Sequence, residues 1–417
     1  MSQRQAFSFL LALPALLLLT GLVVEPLADS LPGVLRIITA RSLLLSDYLS
    51  IGGIGATLMN AGVCGLVAVA LVAVCRIQVN GPFIAAVYTV IGFAFFGKNV
   101  YNIWPIFAGA LLYTRAQRVP FRNSLLIALF GTTLAPLVSF FSFAAGLTPP
   151  VGIVLGVVFG TAVGFVLPPL ASHMLRFHDG YNIYNVGFTG GVVGSFFVAV
   201  FRSFRFEISA EVVLIDHPDR FFEVYFAVIF VALITLGVYL GRTDYAKLGE
   251  SIRRVLSSTG RLVSDFVQIG DYGSTLINMG VMGLISAAFV LLLGGRFNGP
   301  VIGGVLTVVG FAAFGKHPLN CVPVLAGVVL ASFLKVWETS TTVVIIAGLF
   351  GTTLAPISGQ FGPLAGVAAG FFHLSIVMNV GILHGGVNLY NNGFAGGFVA
   401  AFLTPVLDAF RRDTEEP

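Results

Sequence analysis

The sequence predicts an all-α polytopic membrane protein built from two inverted repeats. Its composition, an internal duplication and an odd number of membrane crossings in each duplicated half lead to this prediction. Hydrophobic residues make up 57% of the 417 positions and charged residues only 10%, with a mean hydropathy of +0.97. Soluble domains are roughly a quarter charged, and disordered chains combine high charge with low hydropathy. A water-soluble enzyme and a disordered chain are therefore both excluded.

Charge and cysteine content narrow the functional classes further. The formal net charge is only +4 and the basic residues are scattered, so no nucleic-acid partner is predicted. The three cysteines, Cys64, Cys75 and Cys321, have no metal-ligand spacing. The chain also has no phosphate-binding loop and no catalytic Ser/His/Asp set. We expect no enzyme activity, no cofactor and no metal site, and a lipid bilayer as the surrounding partner.

Three blocks of sequence occur twice in the same order. NGPFIAAVYTVIGFAFFGK at Asn80–Lys98 returns as NGPVIGGVLTVVGFAAFGK at Asn298–Lys316, FGTTLAP at Phe130–Pro136 returns unchanged at Phe350–Pro356, and HDGYNIYNVGFTGG from His178 returns as HGGVNLYNNGFAGG from His384. Weaker pairs match Asn60 with Asn278, Asp47 with Asp265 and Arg36 with Arg254. Chance does not produce three ordered matches of this quality, so the chain is a tandem repeat. We divide it into repeat 1 (1–205), an acidic outside loop (206–218) and repeat 2 (219–412).

A membrane-spanning helix needs about 20 apolar residues, and repeat 1 offers a series of candidate segments. They are Phe7–Val24, Ile54–Val74, Pro82–Phe96, Val100–Tyr113, Ser124–Ala145, Val151–Met174 and Ile183–Val200. The first is interpreted as a retained helix rather than a cleaved signal sequence, because Phe221–Leu240 precedes the same landmarks in repeat 2. Amphipathic stretches at Leu31–Ser46 and Lys247–Ser264 are predicted to lie in the membrane interface.

The segments Pro82–Phe96 and Val100–Tyr113 are short, which leaves two topologies open. They form either two thin spans, giving about 14 membrane segments (7+7), or one re-entrant hairpin, giving 10 spans plus two hairpins. Each repeat crosses an odd number of times in both cases, so repeat 2 must have the opposite orientation. The distribution of Lys and Arg then predicts that the N- and C-termini are cytoplasmic.

Inverted repeats bring equivalent segments together near the bilayer midplane, where transporters build sites from broken helices. We therefore expect a transporter or channel for a small polar solute. The first candidate residues, Asn80, Pro82, Asn298 and Pro300, open short apolar segments. Asn is a good N-cap and Pro is tolerated in a first turn. Either the positive helix end faces a cavity and binds a polar or anionic solute, or the motif is an ordinary helix start.

The FGTTLAP motif predicts an interruption near the centre of its segment. Gly before the threonines and Pro after them both favour a break in the helix. Freed carbonyls and hydroxyls would then line a polar path; alternatively, each Thr bonds the preceding turn of its own helix and merely bends it. The path residues in this motif are Thr132, Thr133 and Pro136, with Thr352, Thr353 and Pro356 in repeat 2.

The third block carries neutral amides and phenols, which suit an uncharged polar solute. Its path residues are Asn182, Tyr184 and Asn185, with Asn388, Tyr390 and Asn391 in repeat 2. Because the amides are three positions apart, we expect them on one helical face. Alternatively, they form interhelical hydrogen bonds that hold the repeats together.

Two histidines and two lysines are candidate gates. His178 and His384 have the side chain that titrates nearest neutral pH, although we expect histidines in this position at the surface. Lys98 and Lys316 close their segments symmetrically. They either reach the lipid headgroups by snorkelling or place a cation at the mouth of the path. No carboxylate lies within a confident span, so coupling to a cation gradient is not predicted.

With these blocks the chain resembles a bacterial family of tandemly duplicated membrane proteins that has no assigned function. More remotely, it is similar to urea transporters. Gln78-Val79-Asn80-Gly81-Pro82 resembles their Gln-Asn-Asn-Pro-like opening, and Gly348-Leu349-Phe350-Gly351 resembles their Gly-Leu-x-Gly turn. This resemblance implies inverted halves, a pore in each subunit, small neutral solutes and a homo-oligomer; a dimer and a trimer are both compatible with the sequence. The urea transporters' filter motif is absent where Asn182–Phe188 and Asn388–Phe394 stand.

Two alternatives to this function stay open. The first is a secondary transporter of nucleobases or anions with a seven-plus-seven inverted fold, in which two short helices aim their N-termini at the substrate. The second is a membrane subunit that does not transport and acts as a scaffold for a partner.

Overall fold

The computed structural model describes residues 1–216 and 220–415, and these are helical apart from connecting segments and isolated β-bridges. Repeat 1 contains α1 (Gln3–Val24), α2 (Leu27–Thr39), α3 (Tyr48–Gly52), α4 (Ile54–Val74), α5 (Gly81–Phe93), α6 (Trp104–Ala116), α7 (Leu125–Gly131), α8 (Ala135–Phe143), α9 (Pro149–Met174) and α10 (Asn185–Ser203). Repeat 2 contains α11 (Phe221–Gly241), α12 (Tyr245–Leu256), α13 (Phe266–Ile269), α14 (Tyr272–Leu292), α15 (Gly299–Phe311), α16 (Pro318–Leu334), α17 (Thr342–Gly351), α18 (Ala355–Phe361), α19 (Pro363–His384) and α20 (Asn391–Glu415). Positions 217–219, at the end of the predicted acidic loop and the start of repeat 2, lie outside the described residues.

Ten helices in the described ranges are long and apolar enough to cross a membrane, which makes the protein an integral membrane protein. They are α1, α4, α9, α10 and the joined pair α7–α8, together with α11, α14, α19, α20 and the joined pair α17–α18. The two lists contain equivalent helices in the same order. Each repeat therefore supplies five of these helices.

The short helices between the second and third long helices form re-entrant hairpins. Helices α5 and α6 have 13 residues each, which gives about 20 Å, too little for a hydrocarbon core of about 30 Å. In repeat 2, Asn298 just before α15 bonds Thr342 at the start of α17 (2.8 Å). Ser332 at the end of α16 contacts Thr339 just before that same start (3.0 Å). The hairpin α15–α16 thus opens and closes beside one helix end. Lys316 at the tip of this hairpin bonds Thr352 (2.7 Å), which lies halfway along the span Thr342–Phe361, so the hairpin reaches only to the middle of that span. The described helices therefore favour ten spans plus two re-entrant hairpins over the seven-plus-seven topology.

Packing between α5 and α15 confirms the predicted inversion. A Cβ on Gly81, the first residue of α5, would lie 2.2 Å from the carbonyl oxygen of Ala313, just past the end of α15. A Cβ on Gly299, the first residue of α15, would lie 2.5 Å from the carbonyl oxygen of Phe95, just past the end of α5. The two helices are therefore antiparallel along their whole length. Every residue of both helices is buried, so the hairpins occupy the centre of the molecule.

The amphipathic segments are shorter than predicted. They are helical at α2 and α12 and then continue as coil to Asp47 and Asp265. Each aspartate accepts a hydrogen bond from the backbone N–H two residues later and so caps the short helix α3 or α13. Equivalent arginines fix both turns, because Arg36 donates to the Ile51 carbonyl and Arg254 to the Ile269 carbonyl.

Candidate functional site

The predicted interruption of the FGTTLAP helices is confirmed. A 3₁₀ turn at Thr132–Leu134 separates α7 from α8. Pro136 lacks the N–H that would continue the α-helical pattern, and the Thr132 hydroxyl donates to the Leu129 carbonyl (2.6 Å). The equivalent turn at Thr352–Leu354 contains the same bond, from the Thr352 hydroxyl to the Leu349 carbonyl (2.5 Å).

The break in repeat 1 binds a loop of repeat 2. The Thr133 hydroxyl donates to Asn388 Oδ1 (2.9 Å) and accepts a hydrogen bond from the Tyr390 backbone N–H (2.9 Å). The Thr133 carbonyl, which the interrupted helix leaves free, accepts the Leu389 N–H (3.1 Å). One threonine thereby satisfies polar groups on both repeats.

The break in repeat 2 binds the equivalent loop of repeat 1. The Thr353 hydroxyl donates to Asn182 Oδ1 (2.6 Å) and accepts the Tyr184 N–H (2.9 Å). Its carbonyl accepts the Ile183 N–H (3.0 Å). The repeats therefore exchange loops at their centre, and all of these side chains are buried.

The predicted common helical face for the amides is wrong. Helices α10 and α20 begin at Asn185 and Asn391, so Asn182 and Asn388 lie in the preceding loops. The loop amides donate across the repeat boundary, from Asn182 to the Gly393 carbonyl (2.9 Å) and from Asn388 to the Gly187 carbonyl (3.1 Å). Tertiary hydrogen bonds hold these residues in loops outside the helices, and a spacing of three residues cannot reveal such bonds.

The histidines are buried rather than at the surface. His178 and His384 are 1% and 0% exposed. Their Nε2 atoms lie within hydrogen-bond distance of the Oδ1 atoms of Asn185 (3.1 Å) and Asn391 (2.9 Å). Each histidine therefore fixes the first residue of the helix that follows it.

The Asn-Gly-Pro motifs do begin helices, but their N-termini are covered. Asn80 and Asn298 cap α5 and α15, with Pro82 and Pro300 in the first turns. The following backbone N–H groups donate to carboxylates of the opposite repeat: Gly81 to Asp265 (3.0 Å) and Gly299 to Asp47 (3.1 Å). The positive helix ends therefore meet protein carboxylates instead of an open cavity.

Asp47 and Asp265 were missed as site residues, although the repeat alignment pairs them. Asp47 lies in coil outside the spanning helices and is 0% exposed. Burial raises the pKa of its carboxyl group to about 6. Backbone hydrogen bonds from Ile215, Leu49 and Gly299 favour the charged form and partly oppose this rise. The sequence signal was an aspartate matched between repeats just before each second span.

The lysines are buried at the hairpin tips and do not snorkel. Both Lys98 and Lys316 are 0% exposed. Lys316 Nζ donates to the Tyr184 hydroxyl (2.5 Å) and to the Thr352 hydroxyl (2.7 Å). Lys98 Nζ has no hydrogen-bond partner in the described residues and lies 4.8 Å from the centroid of the Phe93 ring.

Six aromatic rings form a cluster between the two lysines. The rings of Tyr184 and Tyr390 are 4.8 Å apart and lie across the repeat boundary. Tyr184 also contacts Phe311 (4.7 Å) and Tyr390 contacts Phe93 (4.6 Å). We call this set the aromatic cluster; its members are Tyr184, Tyr390, Phe93, Phe311, Phe130 and Phe350. The four phenylalanines were not predicted, although each lies in or beside a duplicated motif.

Two equivalent cavities adjoin the aromatic cluster. One has a volume of about 150 Å³ and the other about 40 Å³. Equivalent residues line them, in the pairs Leu126 and Ile346, Phe130 and Phe350, Ile183 and Leu389, Asn185 and Asn391, Leu262 and Leu44, and Phe314 and Phe96. Because the repeats are inverted, equivalent cavities face opposite sides of the molecule. The linings are largely apolar.

Comparison with known proteins gives a family without an assigned activity. The sequence profile of the family described as "Protein of unknown function (DUF1576)" matches residues 27–203 and 245–409. The chain therefore belongs to this family. No curated protein and no solved structure matches the chain.

Proposed function

We propose that this member of the DUF1576 family is a transporter or channel for a small polar solute, with its path at the interface of the two inverted repeats. The pair of equivalent cavities on either side of the aromatic cluster carries the proposal. Transporters with inverted repeats typically bind their substrates near the bilayer midplane, at the interface of the repeats and beside interrupted helices.

The narrow centre of the proposed path is the aromatic cluster. Tyr184 and Tyr390 both line the larger cavity, and Phe350 lines the smaller one. Polar groups beside this region include the two tyrosine hydroxyls and the amines of Lys98 and Lys316. A solute of a few heavy atoms would pass only when the rings move apart, so the centre also acts as the selective step.

The remaining duplicated motifs position this centre. Thr133 and Thr353 anchor the backbone of the two tyrosines, and Asn182 and Asn388 tie the same loops to the opposite repeat. We therefore propose that the threonines and loop amides have a structural role in the path. The tyrosines are the residues that contact the solute.

Blocking one cavity tests the path. The Leu126→Trp substitution would fill the larger cavity, whereas Val154→Trp places the same side chain on a 59% exposed position of α9. We expect proteoliposomes with Leu126→Trp to lose most uptake of small solutes and those with Val154→Trp to retain it. Equal flux through both variants would refute the path, and wild-type flux equal to that of protein-free liposomes would refute transport.

Further features of the proposal rest on the sequence alone. The resemblance to urea transporters supports a small solute and a homo-oligomer, a dimer or a trimer. The Lys and Arg distribution supports cytoplasmic termini. The resemblance to a bacterial family of tandemly duplicated membrane proteins supports a bacterial inner membrane. A non-transporting scaffold is the remaining alternative, and constant co-purification with one other chain, together with absence of flux, would favour it.

A further inference from the structure

The two hairpin tips differ although their sequences match. Lys316 Nζ is held by two hydroxyls, those of Tyr184 and Thr352. The equivalent atoms around Lys98 belong to Tyr390 and Thr132, and neither bonds the ammonium. The Tyr390 hydroxyl instead donates to Thr89 (3.1 Å). Lys98 therefore has a wholly buried amine without a hydrogen-bond partner in the described residues.

No protein carboxylate compensates these buried amines. None of the ion pairs within 4.0 Å in the described part of the chain includes Lys98 or Lys316. Asp47 is nearby in the fold, because Tyr48 donates to the Phe95 carbonyl at the tip of the first hairpin. Its oxygens are taken by backbone N–H groups, Oδ1 by Leu49 and Gly299 and Oδ2 by Ile215. A buried lysine without a partner either gives up its proton or takes up an anion, and an anion bound beside the amine would hold it in the ammonium form.

We infer that Lys98 is a binding residue for a small monovalent anion that travels along the proposed path. This inference rests on the proposed function and specifies the charge of its substrate. The ammonium supplies the positive charge, and the Tyr390 hydroxyl is the equivalent of the group that already contacts Lys316. Lys98 lines neither cavity, but Phe96, two residues earlier, lines the smaller one of about 40 Å³, which restricts the anion to a few heavy atoms. Formate, nitrate and chloride are suitable probes.

The covered N-termini of α5 and α15 strengthen the assignment of the anion site to Lys98. An anion could otherwise bind at the N-termini of α5 and α15, but Asp265 and Asp47 already occupy them. Those carboxylates would repel a second anion there. Lys98 is left as the buried cationic group that has an unfilled coordination shell in the described residues.

Flux and thermal stability together test this inference. Lys98→Met removes the amine and keeps an unbranched side chain that is one heavy atom shorter, and Lys247→Met does the same at an exposed position of α12. With wild type and Lys247→Met, sodium formate or nitrate should raise the melting temperature relative to sodium gluconate, which is too large for the cavities. Lys98→Met should lose this rise, and its anion flux should fall about tenfold or more, as expected for losing a charged hydrogen-bond donor.

The outcomes separate the inference from the proposed function. Lys98→Met removes an unpaired buried charge, so it should fold at least as well as wild type in gluconate. Flux of urea or glycerol without any anion flux or anion stabilisation would overturn the anion site and leave the path intact. The same anion response in Lys98→Met and wild type would also overturn it. Absence of flux for every solute would instead reject the proposed function.

Discussion

At the scale of single residues, the most informative side chains are those that satisfy backbone groups of the other repeat. Thr133 and Thr353 each lie in an interrupted helix and accept a backbone hydrogen bond from the loop that packs against the interruption. Asp47 and Asp265 each accept backbone hydrogen bonds from a short helix of their own repeat and from the first residue of a hairpin helix of the other repeat. Each pair therefore couples the folding of the two repeats.

Replacing both threonines by the isosteric valine should destabilise the protein. Thr353→Val leaves the buried Tyr184 N–H without its acceptor, at a cost of about 1–3 kcal/mol, whereas after Thr133→Val the Tyr390 N–H keeps Asn388 Oδ1 (3.2 Å). Both substitutions also remove the hydroxyl that donates to a loop amide oxygen. We expect a lower melting temperature in detergent. Thr235→Val, at a lipid-exposed position of α11, is the matched control and should change little. Unaltered flux in the double variant would limit both threonines to a structural role.

Asp47 should make stability depend on pH. Its folded pKa of about 6 lies above the ordinary aspartate pKa of 3.8, so between these pH values the folded protein keeps a proton that the unfolded chain loses. The resulting stabilisation is full below pH 4 and is lost as pH rises through 6, a difference of roughly 3 kcal/mol. Unfolding measured from pH 4 to pH 7 should show this loss in wild type and less of it in Asp47→Asn. The exposed N-cap variant Asp244→Asn should behave like wild type.

At the scale of elements, the short hairpin helices α5 and α15 depend on close contact with each other. Helices α5 and α15 have glycine at their first positions, where a side chain would meet the end of the partner helix. Small residues allow such contact between membrane helices. Helix capping explains asparagine and proline in the motif, whereas the antiparallel neighbour explains glycine.

Adding one methyl group to this contact should disrupt it. A Cβ on Gly81 would lie 2.2 Å from the Ala313 carbonyl oxygen, whereas a Cβ on Gly249 of α12 has no neighbour within 4 Å. Gly81→Ala should therefore lower the melting temperature. Gly249→Ala should raise it slightly, since alanine favours a helix over glycine by about 0.5–1 kcal/mol. Equal effects of the two substitutions would contradict the packing of α5 against α15.

At the scale of the whole molecule, five spans and one hairpin per repeat determine the topology. The loop between α6 and α7 and the equivalent loop between α16 and α17 must then lie on opposite sides of the membrane. This requirement follows from parity and is independent of the solute.

Cysteine labelling checks the topology directly. Cys64 and Cys321 are buried, so the Cys75→Ser variant should not react with a thiol reagent and is a suitable background for new cysteines. We expect an impermeant thiol reagent to label Arg122→Cys from one side of the membrane and Val336→Cys, at a 94% exposed position, from the other. Labelling of both from one side would disprove the inverted arrangement and the path with it.

The sequence by itself determined the membrane class, the duplication, the inversion and the broken FGTTLAP helices. Hydropathy, repeated motifs and proline positions are local properties, so they can be read along the chain. Only the tertiary structure decided that the short segments re-enter, that the lysines are buried and that aspartates cover the hairpin helices. The bonds that fix the centre join residues 255 and 171 positions apart. Such partners are selected by packing between repeats, which leaves no local periodicity in the sequence.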